Sequence, residues 1–234
     1  MKKFYLLIAI VMIGNLSNAQ FTKGQKLVGP SLSFGFNDYQ SENVSNNQLV
    51  VDKSQSFIGY IGVSSIKMKT ESVGWGVGIY LGYGTYKRDL FQITQGVQKD
   101  NTHIVGLNFF RRKFIVIKPK FNFYYDIGGT ASAGFNNANY DYINPISTNS
   151  TKSSEYGIRS YITPGFTYAI KKNLLIDAAL NNIGSIGYSR TTKKQIYNFP
   201  TAEQKTTNSS FNASSSLTAG GLLNNFTFSF KWII

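Results

Sequence analysis

The sequence predicts an all-β chain folded as an eight-stranded antiparallel up-and-down transmembrane β-barrel, and three observations lead there. Residues 74–86 read G-W-G-V-G-I-Y-L-G-Y-G-T-Y, with Trp75, Val77, Ile79, Leu81 and Tyr83 at alternate positions. A strand sends alternate side chains to opposite faces, so one face here is apolar and the other is glycine with Tyr80 and Tyr86. A water-soluble sheet would oppose its core with Lys, Glu or Thr. A nearly bare second face suits lipid outside and a narrow lumen inside. Second, after residue 20 no apolar run approaches the roughly 20 residues of a spanning helix. A chain that crosses a membrane without such a helix must close a barrel. Third, the connections between alternating segments are long and short in turn, as up-and-down barrels have them.

Composition narrows the class. Charged residues are 15% and aromatics 15% of 234 residues, with 22 glycines, which suits a wall facing lipid better than a solvated surface. Cysteine is absent, which excludes disulfides, thiolate metal sites and a lipid-bearing amino-terminal cysteine. The single His103 excludes a His-pair metal site, and no cofactor is implied.

The chain opens Met1-Lys2-Lys3, runs uncharged through residues 4–13, and reaches Ser17-Asn18-Ala19 before Gln20. A basic start, a short apolar core and small residues mark a secretory signal peptide over residues 1–19, cut after Ala19. Residues 20–234 then form one domain. The formal net charge of +13 falls to +11 once Lys2 and Lys3 leave with the signal.

Strand one, residues 27–36, sets Val28, Leu32, Phe34 and Phe36 against Gly29, Ser31, Ser33 and Gly35, with Pro30 near its start. A polar loop spans 37–53. Strand two, residues 54–66, has Phe57, Ile61 and Val63 on one face, an alternation blurred by Ile58 and Tyr60. A short turn with Lys67, Lys69 and Glu71 leads into strand three, residues 74–86, and a loop covers 87–100. Strand four, residues 101–113, sets Val105, Leu107 and Phe109 against Ile104, Gly106 and Asn108. A basic turn over 114–120 contains Pro119. Strand five sets Phe121, Phe123, Tyr125 and Ile127 against Asn122, Tyr124, Asp126 and Gly128, before a long loop over 132–155. Strand six, residues 156–170, sets Ile158, Ile162, Phe166 and Tyr168 against Gly157, Arg159, Thr163, Gly165 and Thr167. Lys171-Lys172-Asn173 turns the chain into strand seven, with Leu174, Ile176, Ala178 and Leu180 against Asp177, Ala179 and Asn181. A loop over 190–210 precedes the last strand, where Phe226, Phe228, Phe230 and Trp232 alternate with Thr227, Ser229 and Lys231. Residues 211–223 read equally as strand or loop.

Several motifs carry a resemblance: S-L-S-F-G-F at 31–36, V-G-I-Y-L-G-Y-G at 77–84, N-F-F-R at 108–111, T-P-G-F-T-Y at 163–168 and K-N-L-L-I-D at 172–177. With the aromatic final strand they make the chain resemble the outer-membrane β-barrel domain family of Gram-negative bacteria, the porin family and small eight-stranded barrels. Family members commonly end on an aromatic residue, whereas Trp232 is followed here by Ile233 and Ile234. The resemblance covers the mature chain and implies residence in the outer membrane, but no particular ligand.

On that fold Asp126, Asp177, Arg159 and Lys231 face the lumen, and Arg112 joins them by parity with Asn108. Arg or Lys facing lipid at the midplane costs about 2–4 kcal/mol, so inward positions are the consistent ones. Asp177 and Lys231 are expected to pair, and Asp126 to pair with Arg159 or Arg112. Eight strands leave an interior just wide enough for side chains to fill, which favours a polar plug over a pore. Trp75, Tyr83, Phe121, Tyr168 and Trp232 are the expected interfacial aromatics. Lys23, Lys26, Lys67, Lys69, Arg111, Lys113, Lys118, Lys120, Lys171 and Lys172 gather at the short-turn rim, where they can reach lipid phosphates or an acidic periplasmic partner. The Asn-, Ser- and Tyr-rich loops, with Tyr39, Tyr140, Tyr142 and Tyr197, are the expected surface for an envelope protein partner.

The sequence therefore favours a small non-enzymatic barrel in contact with outer-membrane lipid and lipopolysaccharide. It would serve envelope structure, surface interaction or an envelope complex. The alternatives are a narrow solute channel and a lipid A-modifying enzyme using His103 as base. A lone histidine without an orienting partner makes the enzyme the weaker alternative. A soluble lipocalin-like carrier would need its apolar face inward, against the lumen glycines and charges. No nucleic-acid motif is present.

Overall fold

Alternation along the chain becomes a closed ring of antiparallel strands. The computed structural model describes residues 21–45, 48–90, 96–142, 147–181, 183–198, 201–215 and 226–234. The leader over 1–19 and residues 216–223 of the undecided segment lie outside the described residues. The elements are β1 (Lys26–Ser45), β2 (Gln48–Met68), β3 (Val73–Leu90), β4 (Gly96–Lys118), β5 (Phe121–Tyr142), β6 (Ser147–Lys171), β7 (Leu174–Leu180), β8 (Gly184–Asn198), β9 (Thr201–Ser215) and β10 (Phe226–Ile233).

Each of β1 to β6 pairs with its successor, β6 with β7, β7 with β10, and β10 with β1. Eight strands therefore close the ring. β8 continues the line of β7 along the upper part of β6, and β9 pairs with β8 above β10. Among the described residues β1 meets β10 between Leu27–Ile233 and Ser33–Thr227. That ladder is interrupted at Gly29 and Pro30, where proline has no N–H to contribute.

The wall sorts its side chains as a barrel in lipid requires. Leu32, Ile61, Ile79, Leu107, Ile127, Ile158 and Phe228 are all exposed on the outside. Ile58 and Tyr60, which blurred strand two, line the interior instead. The lumen glycines of residues 74–86 and their neighbours receive aromatic rings from adjacent strands. A Cβ on Gly76 would strike the Phe110 ring, one on Gly106 the Tyr80 ring, and one on Gly165 the Tyr124 ring. Tyr80 in turn meets Tyr60 edge to face at 5.8 Å between centroids, and its hydroxyl lies 3.2 Å from Thr130 Oγ1.

Two expectations about connections are corrected. The segments 37–53, 87–100, 132–155 and 190–210 are paired strand for most of their length, so the long connections are tall hairpins. β1 and β2 pair as far as Ser45–Gln48, and β5 and β6 as far as Tyr142–Ser147. A tilted strand of about 9–11 residues crosses a membrane, and β5 has 22. Beyond the bilayer both faces meet water, so apolar alternation stops while backbone pairing continues. Residues 211–215, left open by the sequence, belong to β9.

The second correction is the basic turn expected over 114–120. β4 runs on to Lys118, with a register shift between Val116 and Lys118, and the turn is Pro119-Lys120. Phe114 is buried because the inward parity of Phe110 and Arg112 carries on into the barrel's interior. Ile115, of the opposite parity, is buried as well, so the alternation breaks there, just before the register shift.

The match of glycine to ring is testable. Gly106→Val should cost about 1–3 kcal/mol through overpacking against Tyr80. Adding Tyr80→Ala should recover most of that loss, measured by urea unfolding from liposomes.

Candidate functional site: the lumen floor and the polar cup above it

The short-turn end of the lumen is filled. Phe21, Leu27, Ile66, Met68, Phe110, Phe114, Tyr124, Leu175 and Ala179 form one buried cluster. Phe21 reaches it through a hook fixed at its base. Gly24 N–H donates to Met68 O at 2.9 Å, Met68 N–H donates to Gln25 O at 2.8 Å, and the Gln25 side chain accepts from Thr22 N–H. Gly24 takes φ +93°, a conformation that residues with a Cβ rarely adopt. The Phe21 ring then lies 4.6 Å from that of Phe114, which lies 5.9 Å from Tyr124.

Directly on this apolar layer sits an ionic cluster. Arg112 donates from Nε and Nη2 to the two oxygens of Asp126, each at 2.8 Å, and from Nη1 to Asp177 Oδ2 at 2.7 Å. Thr167 Oγ1 donates to the other Asp177 oxygen at 2.8 Å. The guanidinium carbon stands 3.6 Å from the Tyr124 ring centroid, so a face of the cation is covered by a π system. Arg112 is 5% exposed, Asp126 6% and Asp177 2%, which makes this a desolvated triad that ties β4, β5 and β7 together.

Lys231, also 2% exposed, completes the floor without the expected Asp177 contact. Its Nζ donates to Gly29 O and to Ser64 Oγ. The interruption of the β1–β10 ladder beside Pro30 leaves the Gly29 carbonyl to be taken up by a side chain. Asp177 is instead taken by Arg112. Of the two cations offered to Asp126, Arg112 is the partner, because it lies opposite Asp126 in the β4–β5 register. Arg159 is exposed and sits higher, on the wall of the cavity above.

That cavity measures about 900 Å³ and rises from Lys231, Ser229 and Arg112 to Thr191 and Lys193. Tyr60, Tyr80, Tyr161, Asn108 and Asn181 furnish its middle. Asn181 donates to Ser33 Oγ and Thr227 Oγ1, bridging the junction of β7, β10 and β1. The arrangement offers hydroxyls, amides and aromatic faces to water or a small polar solute. Among the described residues no group of three His, Asp or Glu side chains is placed to hold a metal.

The other expected residues lie on the wall. Trp75, Tyr168 and Trp232 are exposed near the short-turn end, and half-buried Phe121 stacks on Phe166 at 5.5 Å. Tyr83 stands further along β3, past its middle, its ring 5.3 Å from that of His103 and its hydroxyl donating to Asn101 Oδ1. His103 thus faces outward beside an aromatic ring. The basic rim includes exposed Lys69, Lys118, Lys120, Lys171 and Lys172, while Lys113 Nζ donates to Ser72 Oγ. Sequence reasoning missed Phe21 and Phe114. Extending the inward parity of Phe110 and Arg112 by two residues would have found Phe114, whereas the hook that seats Phe21 has no periodic signal.

A ring of eight antiparallel strands, an apolar outer band and inward charges define the fold of an outer-membrane β-barrel, and the apolar band fits the chain to that membrane. Comparison with one solved structure bears out the fold. The outer membrane protein OprG from Pseudomonas aeruginosa matches with a TM-score of 0.50 at 12% identity, over 93% of this chain and 99% of that one. A major outer membrane protein from Thermus thermophilus matches with a TM-score of 0.45 at 11% identity, over 90% and 99% of the two chains. No protein-family model and no curated protein matches the sequence.

Removing Arg112 alone should be more damaging than removing the whole triad. Arg112→Met leaves two buried carboxylates unpaired and should cost about 3–5 kcal/mol. The triple change with Asp126→Asn and Asp177→Asn should regain much of it in the same urea unfolding measurement. Phe21→Ala should cost about 3–5 kcal/mol in the same measurement, as for a buried core phenylalanine.

Proposed function

We propose that the protein is a small non-enzymatic outer-membrane barrel, sealed at its periplasmic end and carrying a polar cup that faces outward. Short turns belong to the periplasmic side of such barrels and tall hairpins to the outside. Its work is structural support of the envelope, surface interaction through the hairpins, or service as a subunit of an envelope complex. One observation carries this reading: the Arg112–Asp126–Asp177 triad rests on the Phe21, Phe114 and Tyr124 layer and fills the lumen. An ion crossing that floor would have to part a desolvated ion pair and displace aromatic rings, which costs several kcal/mol.

The cup favours reception over passage. Its polar lining is broad, and the Arg112 and Lys231 cations at its base already donate to protein acceptors. The hairpins that rise around it place Tyr39, Tyr140 and Tyr197 where a partner outside the cell would meet them. His103, turned outward against Tyr83, supports no acyl-transfer chemistry, because its neighbouring aromatic ring orients no proton.

Single-channel recording in planar bilayers tests this function. The purified protein should give no conductance steps. The variant combining Phe21→Ala, Phe114→Ala and Tyr124→Ala should give them. Reproducible steps from the unaltered protein would overturn the sealed-barrel reading.

A further inference from the structure

We propose that the outer wall between β4 and β9 is a binding site for one phosphorylated, multiply acylated glycolipid of the outer leaflet, the chemistry of lipopolysaccharide. The inference rests on the outward orientation of the hairpins adopted above. Its lower part is an apolar groove of about 710 Å³. Ala131 and Ala133 form the bed, each between larger outward side chains of the same cross-strand row. Leu107, Ala131 and Ile158 make one row; Val105, Ala133 and Tyr156 make the next. Two small residues set among large ones leave a channel the width of a chain on a wall that is otherwise studded with aliphatic and aromatic groups.

Such a groove gives shape but little affinity, because lipid tails are as apolar as the wall they touch. Affinity must come from the head of the ligand, and the wall changes character just above. Arg190 closes the groove at its top, next to Tyr156 across the β6–β8 ladder. Four residues further along β8, about 13 Å at ~3.3 Å per residue, Lys194 stands between Lys152 of β6 and Lys205 of β9. Lys193 and Ser153 line the cup, so strand alternation turns Lys194 and Lys152 outward.

Three lysines abreast on neighbouring strands are an arrangement that cross-strand repulsion disfavours. Glu203 answers one of them, with Oε2 2.9 Å from Lys194 Nζ, and Lys152 and Lys205 are exposed. An anion spread over the row would remove the penalty. Two cationic levels separated by about 13 Å, above a slot for an acyl chain, match a lipid with more than one phosphate on a sugar headgroup better than a single-phosphate lipid. The ammonium and guanidinium groups supply the attraction, and the groove selects a ligand whose chain continues downward from it.

The test uses the folded protein in neutral-lipid nanodiscs, titrated with bisphosphorylated lipid A, dephosphorylated lipid A and phosphatidylglycerol, and read by native mass spectrometry. Bisphosphorylated lipid A should bind at least tenfold more tightly than either of the others. K152Q/K205Q/R190Q should weaken it tenfold or more, and A133W or, where that variant folds poorly, A131L should weaken it several-fold. Heat-modifiable gel mobility checks that each variant remains folded. Equal binding by the unaltered and altered proteins, or equal binding of phosphatidylglycerol and lipid A, would overturn the proposal. Bilayer conductance is read separately, so a conducting barrel would sink the sealed-lumen function and leave this outcome standing on its own.

Discussion

A guanidinium enclosed by two carboxylates and a tyrosine ring is the constraint on which the rest of the interior depends. Arg112 cannot face lipid without a large penalty, and it cannot sit unpaired in a dry lumen. Asp126 and Asp177 meet both demands from two other strands, and Thr167 takes the lone pairs that Arg112 leaves. Lys231 adds a second buried cation to the same floor, so the two acids and two bases balance. The triad orders β4, β5 and β7 relative to one another, and Lys231 ties β10 to β1 and β2, whereas backbone pairing alone orders only neighbours.

Packing below and above the cluster follows from the narrowness of an eight-stranded ring. Several large rings enter the lumen where a facing residue has no side chain, as at Gly76 beneath Phe110 and Gly165 beneath Tyr124. The lower half is dry because Phe21 and Phe114 complete it. In the upper half Tyr60 and Tyr80 lean on one another and leave room for a polar cup. The same wall that closes the lumen presents an apolar band outward, with aromatic residues toward its ends.

Much of the fold is legible in the chain because alternation is a local signal of period two. Trp75, Val77 and Ile79 outside, with Gly74, Gly76 and Gly78 inside, follow from the pleat alone. Where both faces of a strand meet water the signal fades. Residues 37–45, 48–53, 132–142 and 147–155 therefore read as loop although their backbones pair. The turn expected over 114–120 fails for a different reason: its lysines and Pro119 signal a turn, but Phe114 still keeps the inward parity of the preceding strand and β4 stays paired to Lys118.

By itself the sequence determined that the chain is a barrel of eight strands and that Asp126, Asp177, Arg112 and Lys231 face inward, since both follow from alternation and the cost of charge in lipid. Only the tertiary structure decided their partners. Arg112 finds Asp177 across 65 positions of sequence, and Lys231 reaches Gly29 across 202, because closing the ring brings strands from opposite ends of the chain together. The seating of Phe21 depends on a hook bonded to the end of β2, and the row of Lys152, Lys194 and Lys205 on the register of three strands. Such placements are set by which residues stand opposite one another around the ring, and a period of two carries no information about that.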